Sequence, residues 1–462
     1  MADQVVARCV EHITTLPHQA LYGVADAETL CRTMREPTPA TGVPLDGLLD
    51  QLFTDYIPQS FNTPAPGYLA YIPGGGLFPA ALADFIADTT NRYTGIWQAA
   101  PALVQLEANA LDWLRDWMGF PEGTSRGVFT TGGSMATFNA VLCAREKYLG
   151  ADIRRGVMYT SDQAHHCVIK SAKLAGIMPD RVRSIPADAQ FHLPIEALRE
   201  AIAQDRRDGL VPFMVVSNAG TTNTGAVDPL ELIADICAEE SLWHHVDGAY
   251  GAFFQLCDET REVVRGIERA DSLTLDPHKG MFMPYGTGAL LVRDGAALRA
   301  AHESTADYLP ELPSATEFYD PSQHGPDLSR GFPGLRMWLT MKLYGADAFR
   351  AAITEKRALA VDAATRVAAL PHVVMDAPPE LSLFPFHVTW PGATLAQEDA
   401  ATREVMYTTS KRGRVMISGA VAGGRYVGRV CVLSFRTHAE QIDHLVEDLS
   451  AAITDVVAAM SA

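Results

Sequence analysis

The sequence is poor in cysteine, and its cysteines form no recognisable pattern. Seven occur in 462 residues, an odd number without any C-x-x-C pair, so the sequence predicts neither a disulfide framework nor a zinc site. We interpret them as small buried hydrophobic side chains. They are Cys9, Cys31, Cys143, Cys167, Cys237, Cys257 and Cys431.

The sequence also lacks long hydrophobic runs and an excess of positive charge. No uncharged apolar run approaches the roughly 20 residues of a membrane-spanning helix, and Asp3, Arg8 and Glu11 stand where a signal peptide has its apolar core. Against 55 acidic residues there are 37 basic ones, which argues against nucleic acid or an anionic membrane as the main partner. We expect a cytoplasmic enzyme.

The order of helical and β-rich patterns divides the chain into three parts. Residues 1–80 mix helical patterns with proline-rich segments, which predicts an amino-terminal segment that wraps a neighbouring subunit; a flexible extension fits equally well. In residues 81–345 helical windows alternate with apolar runs, which predicts an α/β domain with a mostly parallel sheet. Residues 346–462 predict a smaller α+β domain. The runs are 127–130, 157–160, 212–216, 243–246 and 289–292, then 381–384 and 429–435.

Residues that follow the predicted parallel strands are candidates for a site, because ligands bind beyond the carboxyl ends of such strands. After the first run come Gly132, Gly133 and Ser134 and then a helical pattern, which suits a phosphate group because backbone amides and the helix dipole face it. After the second run comes His165, whose ring can stack on a bound aromatic ring. Taken alone, an ordinary turn and a capping loop also explain these segments.

The next two strand ends carry hydroxyl groups and an acid. Thr221 and Thr222 follow the third run at a glycine-flanked turn, for which an ordinary polar loop is the alternative. Asp247 ends the fourth run, where a carboxylate is costly to bury unless a cation pairs with it. A metal site of His244, His245 and Asp247 is disfavoured, because neighbouring strand residues point to opposite faces. We expect no metal.

Lys279 follows a further apolar run, 272–275, and completes the set. An amine that attacks a carbonyl must be partly deprotonated, and burial or a nearby cation such as His278 can lower its pKa accordingly. Asp247 precedes Lys279 by 279 − 247 = 32 residues, enough for one crossover between two strands. A phosphate site, a stacking imidazole, a buried acid and a reactive lysine together predict pyridoxal 5'-phosphate as the cofactor.

Nine segments also form an ordered set along nearly the whole chain. Together they resemble the group II pyridoxal-phosphate-dependent amino acid decarboxylases, and among these the aromatic L-amino acid decarboxylases. The resemblance implies the type I, aspartate aminotransferase-like fold and a homodimer with active sites at the subunit interface. The segments are Gly67-Tyr68-Leu69-Ala70-Tyr71, 100–107, 131–136, Ser161-Asp162-Gln163-Ala164-His165, 220–222, His245-Val246-Asp247-Gly248-Ala249-Tyr250, Pro277-His278-Lys279, 329–338 and 429–437.

The resemblance implies a role for each residue around the cofactor ring. Lys279 would bind the cofactor through its aldehyde, and Asp247 would pair with the pyridine nitrogen. His165 would stack on one face of the ring, where the substrate carboxylate stands, and Ala249 would pack against the other face. Around these residues, the phosphate and the ring hydroxyl would be held by Gly133, Ser134 and His278 and by Thr221 or Thr222.

The resemblance also implies a substrate pocket and a proton donor. The pocket would be lined by Tyr71, Ile72, Pro73 and Trp97. A tyrosine from a loop of the partner subunit would return a proton to the substrate carbon, and spacing favours Tyr319 over Tyr308 for this role.

Three positions depart from the family pattern. Gly280 follows the lysine where tryptophan is frequent, Met135 replaces an acid, and Asp276 stands where the animal enzymes have asparagine. An acid at this place near a phosphate is repulsive unless it turns away.

The sequence predicts decarboxylation of an L-amino acid, with an aromatic side chain favoured, to the amine and carbon dioxide. An aldehyde synthase, a decarboxylase of acidic amino acids such as glutamate, and a catalytically silent dimeric scaffold are the alternatives. A nicotinamide oxidoreductase is weaker still, because the first strand-turn lacks the required glycine spacing.

Overall fold

The computed structural model describes residues 1–23, 26–303, 314 and 317–461. The amino-terminal part is built from helices and turns, and its helices α1 and α2 bury none of their residues within this chain. The predicted role of residues 1–80 in wrapping a second subunit stays a prediction. The first helices are α1 (Ala2–Thr15), α2 (Ala27–Thr33), α3 (Leu45–Asp50), α4 (Phe78–Thr90) and α5 (Pro101–Trp117).

A seven-stranded sheet follows, in the order β1-β7-β6-β5-β4-β2-β3. The strands β2 to β6 run parallel to one another, whereas β7 is antiparallel to both β1 and β6. The predicted α/β architecture with a mostly parallel sheet is therefore confirmed. The strands are β1 (Arg126–Thr130), β2 (Gly156–Ser161), β3 (Val182–Ile185), β4 (Val211–Asn218), β5 (Trp243–Asp247), β6 (Ser272–Leu275) and β7 (Gly288–Val292).

The degree of burial explains why some of these strands could be predicted from apolar runs and one could not. Every residue of β2, β5, β6 and β7 is buried, as expected for strands that are covered by helices on both faces. The edge strand β3 was not predicted, because three of its four residues are partly or fully exposed and form no apolar run. The reversed direction of β7 was not predicted either, because an apolar run carries no sign of its direction.

Helices pack on both faces of the large sheet. Leu114 of α5 shares one core with Leu273 of β6, and Val168 of α7 shares another with Met158 of β2. Because β2 to β6 run parallel, the loops that follow them lie at one edge of the sheet. The α-helices of residues 133–344 complete this part of the chain. They are α6 (Gly133–Tyr148), α7 (Cys167–Leu174), α8 (Ile195–Arg207), α9 (Leu230–Glu240), α10 (Pro277–Gly280), α11 (Gly295–His302) and α12 (Pro333–Tyr344).

A smaller antiparallel sheet lies in the carboxyl-terminal part, in the order β10-β11-β9-β8. The run predicted at 429–435 is displaced: the strand covers Arg425–Cys431, and from Val432 the chain leaves the sheet, where the Val432 amide donates to Ser382 O. The elements are α13 (Ala346–Ala368), β8 (Val373–Met375), β9 (Leu383–Val388), α14 (Leu395–Lys411), β10 (Ser418–Ala422), β11 (Arg425–Cys431) and α15 (Ala439–Met460). Within the described ranges, no helix is long and apolar enough to cross a bilayer.

Candidate active site

A cavity of about 510 Å³ lies at the edge of the large sheet where the parallel strands end. Because β7 is antiparallel, its first residue lies at this edge too, opposite the last residue of β1. The cavity brings together ten of the residues predicted from the sequence. They are Tyr71, Ile72, Gly133, Ser134, His165, Thr222, Asp247, Ala249, His278 and Lys279.

Lys279 extends from the one-turn helix α10 into the cavity, where Asp276 holds it. Its Nζ lies 2.8 Å from Asp276 Oδ2, and Asp276 is only 2% exposed. Burial by itself lowers the pKa of Lys279, but the charge and hydrogen bond of Asp276, with the charge of Asp247, outweigh burial and raise this pKa above its ordinary value. The expected lowering of the lysine pKa is therefore wrong for this arrangement. An acid, and not His278, is the nearest partner of the amine.

Replacing Asp276 by asparagine should shift the reactivity of Lys279 to lower pH. The variant loses the charge that raises the lysine pKa and keeps the burial that lowers it, so more of the amine is neutral near pH 7. The rate at which cofactor-free protein captures pyridoxal phosphate, followed by absorbance between about pH 6 and 9, should rise with pH in both proteins and level off earlier in the variant.

Asp271→Asn is the matched control for this experiment. Asp271 is a partly buried acid just before β6, and its Oδ2 accepts a hydrogen bond from the His244 amide at 2.8 Å. It does not line the cavity, so its replacement should leave the pH profile of cofactor capture as in the wild type. If the pH profile of Asp276→Asn coincided with those of the wild type and Asp271→Asn, the ion pair with Asp276 would not set the pKa of Lys279.

The predicted phosphate site is a cup of glycines at the amino end of α6. Gly132 has φ of +150°, a conformation that residues with a Cβ atom rarely adopt. A Cβ atom on Gly133 would lie 3.1 Å from both Ala249 Cβ and Asp276 Oδ2, and one on Gly288 would lie 2.5 Å from Gly132 Cα. Only glycine leaves space here for an anion to approach the first amides of the helix.

His165 lies in the loop between β2 and α7 and is held as a neutral ring. The Cys167 amide donates to His165 Nδ1 at 3.3 Å, so the proton of the neutral imidazole is on Nε2. Burial, with the nearby charges of His166 and Lys279, lowers the pKa of His165 to about 4. This ring can therefore donate a hydrogen bond from Nε2 at neutral pH without carrying a charge.

Asp247 ends β5 inside the cavity wall. The Ala249 amide donates to its Oδ1 at 3.2 Å. Burial raises the pKa of Asp247, which Lys279 partly opposes, but Lys279 itself is paired with Asp276. Within the part of the chain that the structure describes, Asp247 takes part in no ion pair, so the site presents a buried acid that a cationic group of a ligand can stabilise.

His278 is oriented by a chain of contacts that begins in α12. Its Nδ1 donates to Thr287 O at 2.8 Å, and Arg336 Nη1 donates to Thr287 Oγ1 at 2.7 Å. Arg336 is itself paired with Asp84 at 2.6 Å. Arg336 of the 329–338 segment therefore contacts the residue that orients His278, although it does not line the cavity itself.

Four predicted residues do not line the cavity of their own chain. Thr221 is turned away and bonds Thr224 Oγ1 at 2.8 Å, which leaves Thr222 as the hydroxyl residue of this loop in the cavity. Pro73 is buried behind Ile72, and Trp97 stacks on Phe318 at 4.5 Å between ring centroids.

Tyr319 is the fourth predicted residue that does not line the cavity of its own chain. It lies against a separate cavity of about 230 Å³, with its ring 5.2 Å from that of His324. Burial, reinforced by Glu107, raises the pKa of Tyr319, so the phenol keeps its proton. A role for Tyr319 at a cavity that holds Lys279 requires the cavity of a second subunit and stays a prediction. The alternative, Tyr308, lies outside the described residues.

Several lining residues were not predicted. Asn218 is the last residue of β4, so the strand-end rule applied strictly would have found it. Tyr285 and Gly286 precede β7, and only the reversed direction of that strand brings them to the cavity. Cys167 and Tyr250 lie just beyond residues that the sequence did single out.

The histidines next to Asp247 have structural partners. His244 Nε2 and Ser217 Oγ are 2.8 Å apart, as are His245 Nδ1 and Ser272 Oγ. The described residues contain no group of three or more His, Cys, Asp or Glu side chains that could hold a metal ion.

The cavity fits pyridoxal phosphate. The glycine cup and the amino end of α6 suit a phosphate, the unpaired acid Asp247 suits a protonated ring nitrogen, and Lys279 offers an amine for the aldehyde. Ala249 and His165 are available to cover the two faces of a ring.

Comparisons with known proteins agree with this chemistry. The family model of the pyridoxal-dependent decarboxylase conserved domain matches residues 38–389. Aromatic-L-amino-acid decarboxylase of Bacillus atrophaeus is 32% identical over 457 residues, which cover 98% of this chain and 95% of that protein. Phenylacetaldehyde synthase of Arabidopsis thaliana is 28% identical over 404 residues, 84% of this chain and 82% of that protein. The crystal structure of Oryza sativa TDC with PLP and tryptamine has a TM-score of 0.93 at 28% identity and covers 98% of this chain and 97% of its own.

Proposed function

The chain belongs to the pyridoxal-dependent decarboxylase family and is a pyridoxal-phosphate-dependent amino acid decarboxylase, and we propose that its substrate is an aromatic L-amino acid. The products are then the corresponding amine and carbon dioxide. The observation that carries this proposal is the convergence of Lys279, Asp247, His165 and the glycine cup in one cavity whose outer wall contains two tyrosines.

Each of these side chains has a task that its surroundings support. When bound, pyridoxal phosphate supplies an electron-withdrawing ring that stabilises the negative charge left by loss of carbon dioxide. The Asp247 carboxylate would stabilise the positive charge of the protonated ring nitrogen. His165 would donate a hydrogen bond from Nε2 to the substrate carboxylate. Lys279 would hold the cofactor through its amine. Tyr319 of a second subunit, or a water molecule, returns the proton to carbon.

The composition of the cavity wall favours an aromatic over an acidic substrate. Tyr71, Ile72 and Tyr285 offer apolar surface at its rim. Among the described lining residues, the only cationic or potentially cationic groups are Lys279, His165 and His278. In the proposed function, all three already serve the cofactor or the substrate α-carboxylate. A second carboxylate on the substrate would therefore be desolvated without a partner, which is unfavourable.

The test is turnover of the purified holoenzyme against a panel of aromatic, acidic and basic L-amino acids, with amine, aldehyde and hydrogen peroxide measured together. Amine without peroxide from an aromatic substrate supports the proposal. Turnover confined to acidic amino acids contradicts the proposed substrate class while leaving the decarboxylase intact.

Aldehyde synthesis is the second candidate, because Phenylacetaldehyde synthase is among the relatives. The presence of Tyr319 disfavours it. An enzyme that returns the proton poorly gives dioxygen more opportunity to react. Aldehyde and peroxide in equal amounts, with consumption of dioxygen, would establish this candidate and remove Tyr319 from its proposed role.

We also propose that the protein is a homodimer whose subunits meet near the cavity. Phe85 and Ile86 of α4 are 54% and 47% exposed, and Phe61, which stacks on Tyr71 at the cavity rim, is 50% exposed. Exposed large apolar side chains that are neighbours on one helix, with another at the cavity rim, support an association surface here. The division into residues 1–80, 81–345 and 346–462 and the cytoplasmic location likewise stay predictions.

Replacing Phe85 and Ile86 together by aspartate should convert the dimer to a monomer and lower turnover, since the site would lose its neighbour. Light scattering coupled to gel filtration measures the mass. Leu395→Asp is the control: Leu395 is 53% exposed at the start of α14, in the small carboxyl-terminal part, and its replacement should leave the dimer intact. A double variant that remains dimeric would exclude α4 from the interface.

A further inference from the structure

The backbone of Tyr71 adopts a left-handed conformation at the rim of the cavity. Its φ is 54°, a value that residues with a Cβ atom rarely adopt. Tyr71 and its neighbour Ile72 both line the cavity, so the course of this wall depends on the unusual backbone. Such a conformation persists only where surrounding groups hold it.

Two side chains of the small sheet hold this backbone. The Tyr71 amide donates to Ser418 Oγ at 2.8 Å, and the Tyr71 carbonyl oxygen accepts from Arg429 Nη2 at 3.4 Å. Arg429 Nη1 also donates to Ser418 Oγ, at 2.9 Å. Ser418 and Arg429 are directly opposite each other in the pairing of β10 with β11, so strand register places them together.

The same guanidinium holds the loop on another side of the cavity. Arg429 Nη2 donates to Thr222 O, and Nε donates to Asn223 O at 2.9 Å. Thr222 itself lines the cavity. Arg429 therefore connects two cavity walls that are distant in sequence, and it anchors both to the small sheet.

Stability alone does not explain an arginine at this position. Arg429 is 3% exposed and forms no ion pair with any residue in the described ranges, and burial lowers its pKa. A buried cation without a carboxylate partner is unfavourable. What arginine provides is a planar group whose N–H bonds reach acceptors in several directions, which the single nitrogen of lysine cannot match.

We propose that Arg429 and Ser418 are positioning residues that shape the substrate wall by holding Tyr71 in its left-handed conformation. The tests that measure KM rest on the proposed function, because they need its substrate. Arg429→Lys keeps the charge and loses the planar group, and Ser418→Ala loses the hydroxyl. Each should raise KM for the preferred amino acid about tenfold while pyridoxal phosphate content stays at the wild-type level.

A second background separates positioning through Tyr71 from general damage. In Tyr71→Ala protein Ser418→Ala should not raise KM further, because the ring that Ser418 orients is gone. Arg429→Lys is left out of this comparison because Arg429 also holds Thr222. Arg425→Lys is the matched control, since Arg425 lies on the same strand but pairs with Glu398, and its KM should equal that of the wild type. The same rise in KM with and without the Tyr71 ring would overturn the proposal.

Hydrogen exchange tests the contact without any substrate. Ser418→Ala should speed exchange of the Tyr71 amide by about tenfold or more, because that amide loses its acceptor. A wild-type exchange rate in this variant overturns the proposal whatever the substrate proves to be. Faster exchange in a protein that turns over no aromatic amino acid supports the positioning role and rejects the proposed substrate class instead.

Discussion

Lys279→Ala should give a folded protein that no longer binds pyridoxal phosphate covalently and whose turnover falls by roughly 10⁴-fold or more. The amine of Lys279 enters the cavity from α10, and it is the only lysine among the described lining residues, so no neighbour can replace it. Gel filtration shows whether the protein is folded and whether the cofactor stays with it. The absorbance of the bound cofactor reports the covalent link, and amine production measures turnover. Full turnover in the variant would remove Lys279 from the mechanism.

Two companion variants distinguish lost chemistry from lost stability. Without Lys279, Asp276 remains buried and lacks its nearest cation, and breaking such a pair costs about 3–5 kcal/mol. Lys279→Ala combined with Asp276→Asn should regain most of the thermal stability and none of the turnover.

Lys356→Met is the matched control, because the Lys356 side chain is fully buried and pairs with Glu355 at 3.0 Å, outside the cavity. It should lower the melting temperature and keep the cofactor. A Lys356→Met protein that loses the cofactor would show that removing any buried lysine has this effect.

The residues that sequence reasoning brought together follow one geometric rule. Asp247 is the last residue of β5, and His165 and Thr222 lie in the loops that follow β2 and β4. Parallel strands end at the same edge of a sheet. Long apolar runs made these strands visible because helices cover both faces. The fold class and the greater part of the cavity could be predicted for this reason.

The features that the sequence did not predict depend on the direction of a strand and on the orientation of single side chains. Tyr285 reaches the cavity only because β7 runs antiparallel, which the run 289–292 does not reveal. Asp276 stood out as a departure, yet its pairing with Lys279 depends on where the carboxylate points just before the single turn of α10. The contacts of Arg429 join three segments, and no local pattern encodes such a meeting.

Asp247→Asn should lower turnover by roughly 10³-fold while Lys279 still binds the cofactor. The amide has nearly the same shape as the carboxylate but carries no charge, so it cannot favour a proton on the pyridine nitrogen. A cofactor analogue whose ring nitrogen carries a methyl group is permanently cationic, and it should restore much of the turnover to the variant and little to the wild type. Failure of the analogue to raise turnover in the variant would mean that Asp247 acts in some other way.

The cofactor-free form of this variant gives an independent check through stability. Burial raises the pKa of Asp247 in the folded protein, so the folded state binds more protons than the unfolded state between the two pKa values, and stability falls as pH rises through that interval. The amide that replaces this carboxyl group does not titrate, so the cofactor-free variant should be at least as stable as the wild type at neutral pH and should gain relative to it as pH rises from acid values. Binding of the cofactor should reverse the order, because only the carboxylate gains a cationic partner. A wild type that is the more stable protein in both states would show that Asp247 is already satisfied without the ring.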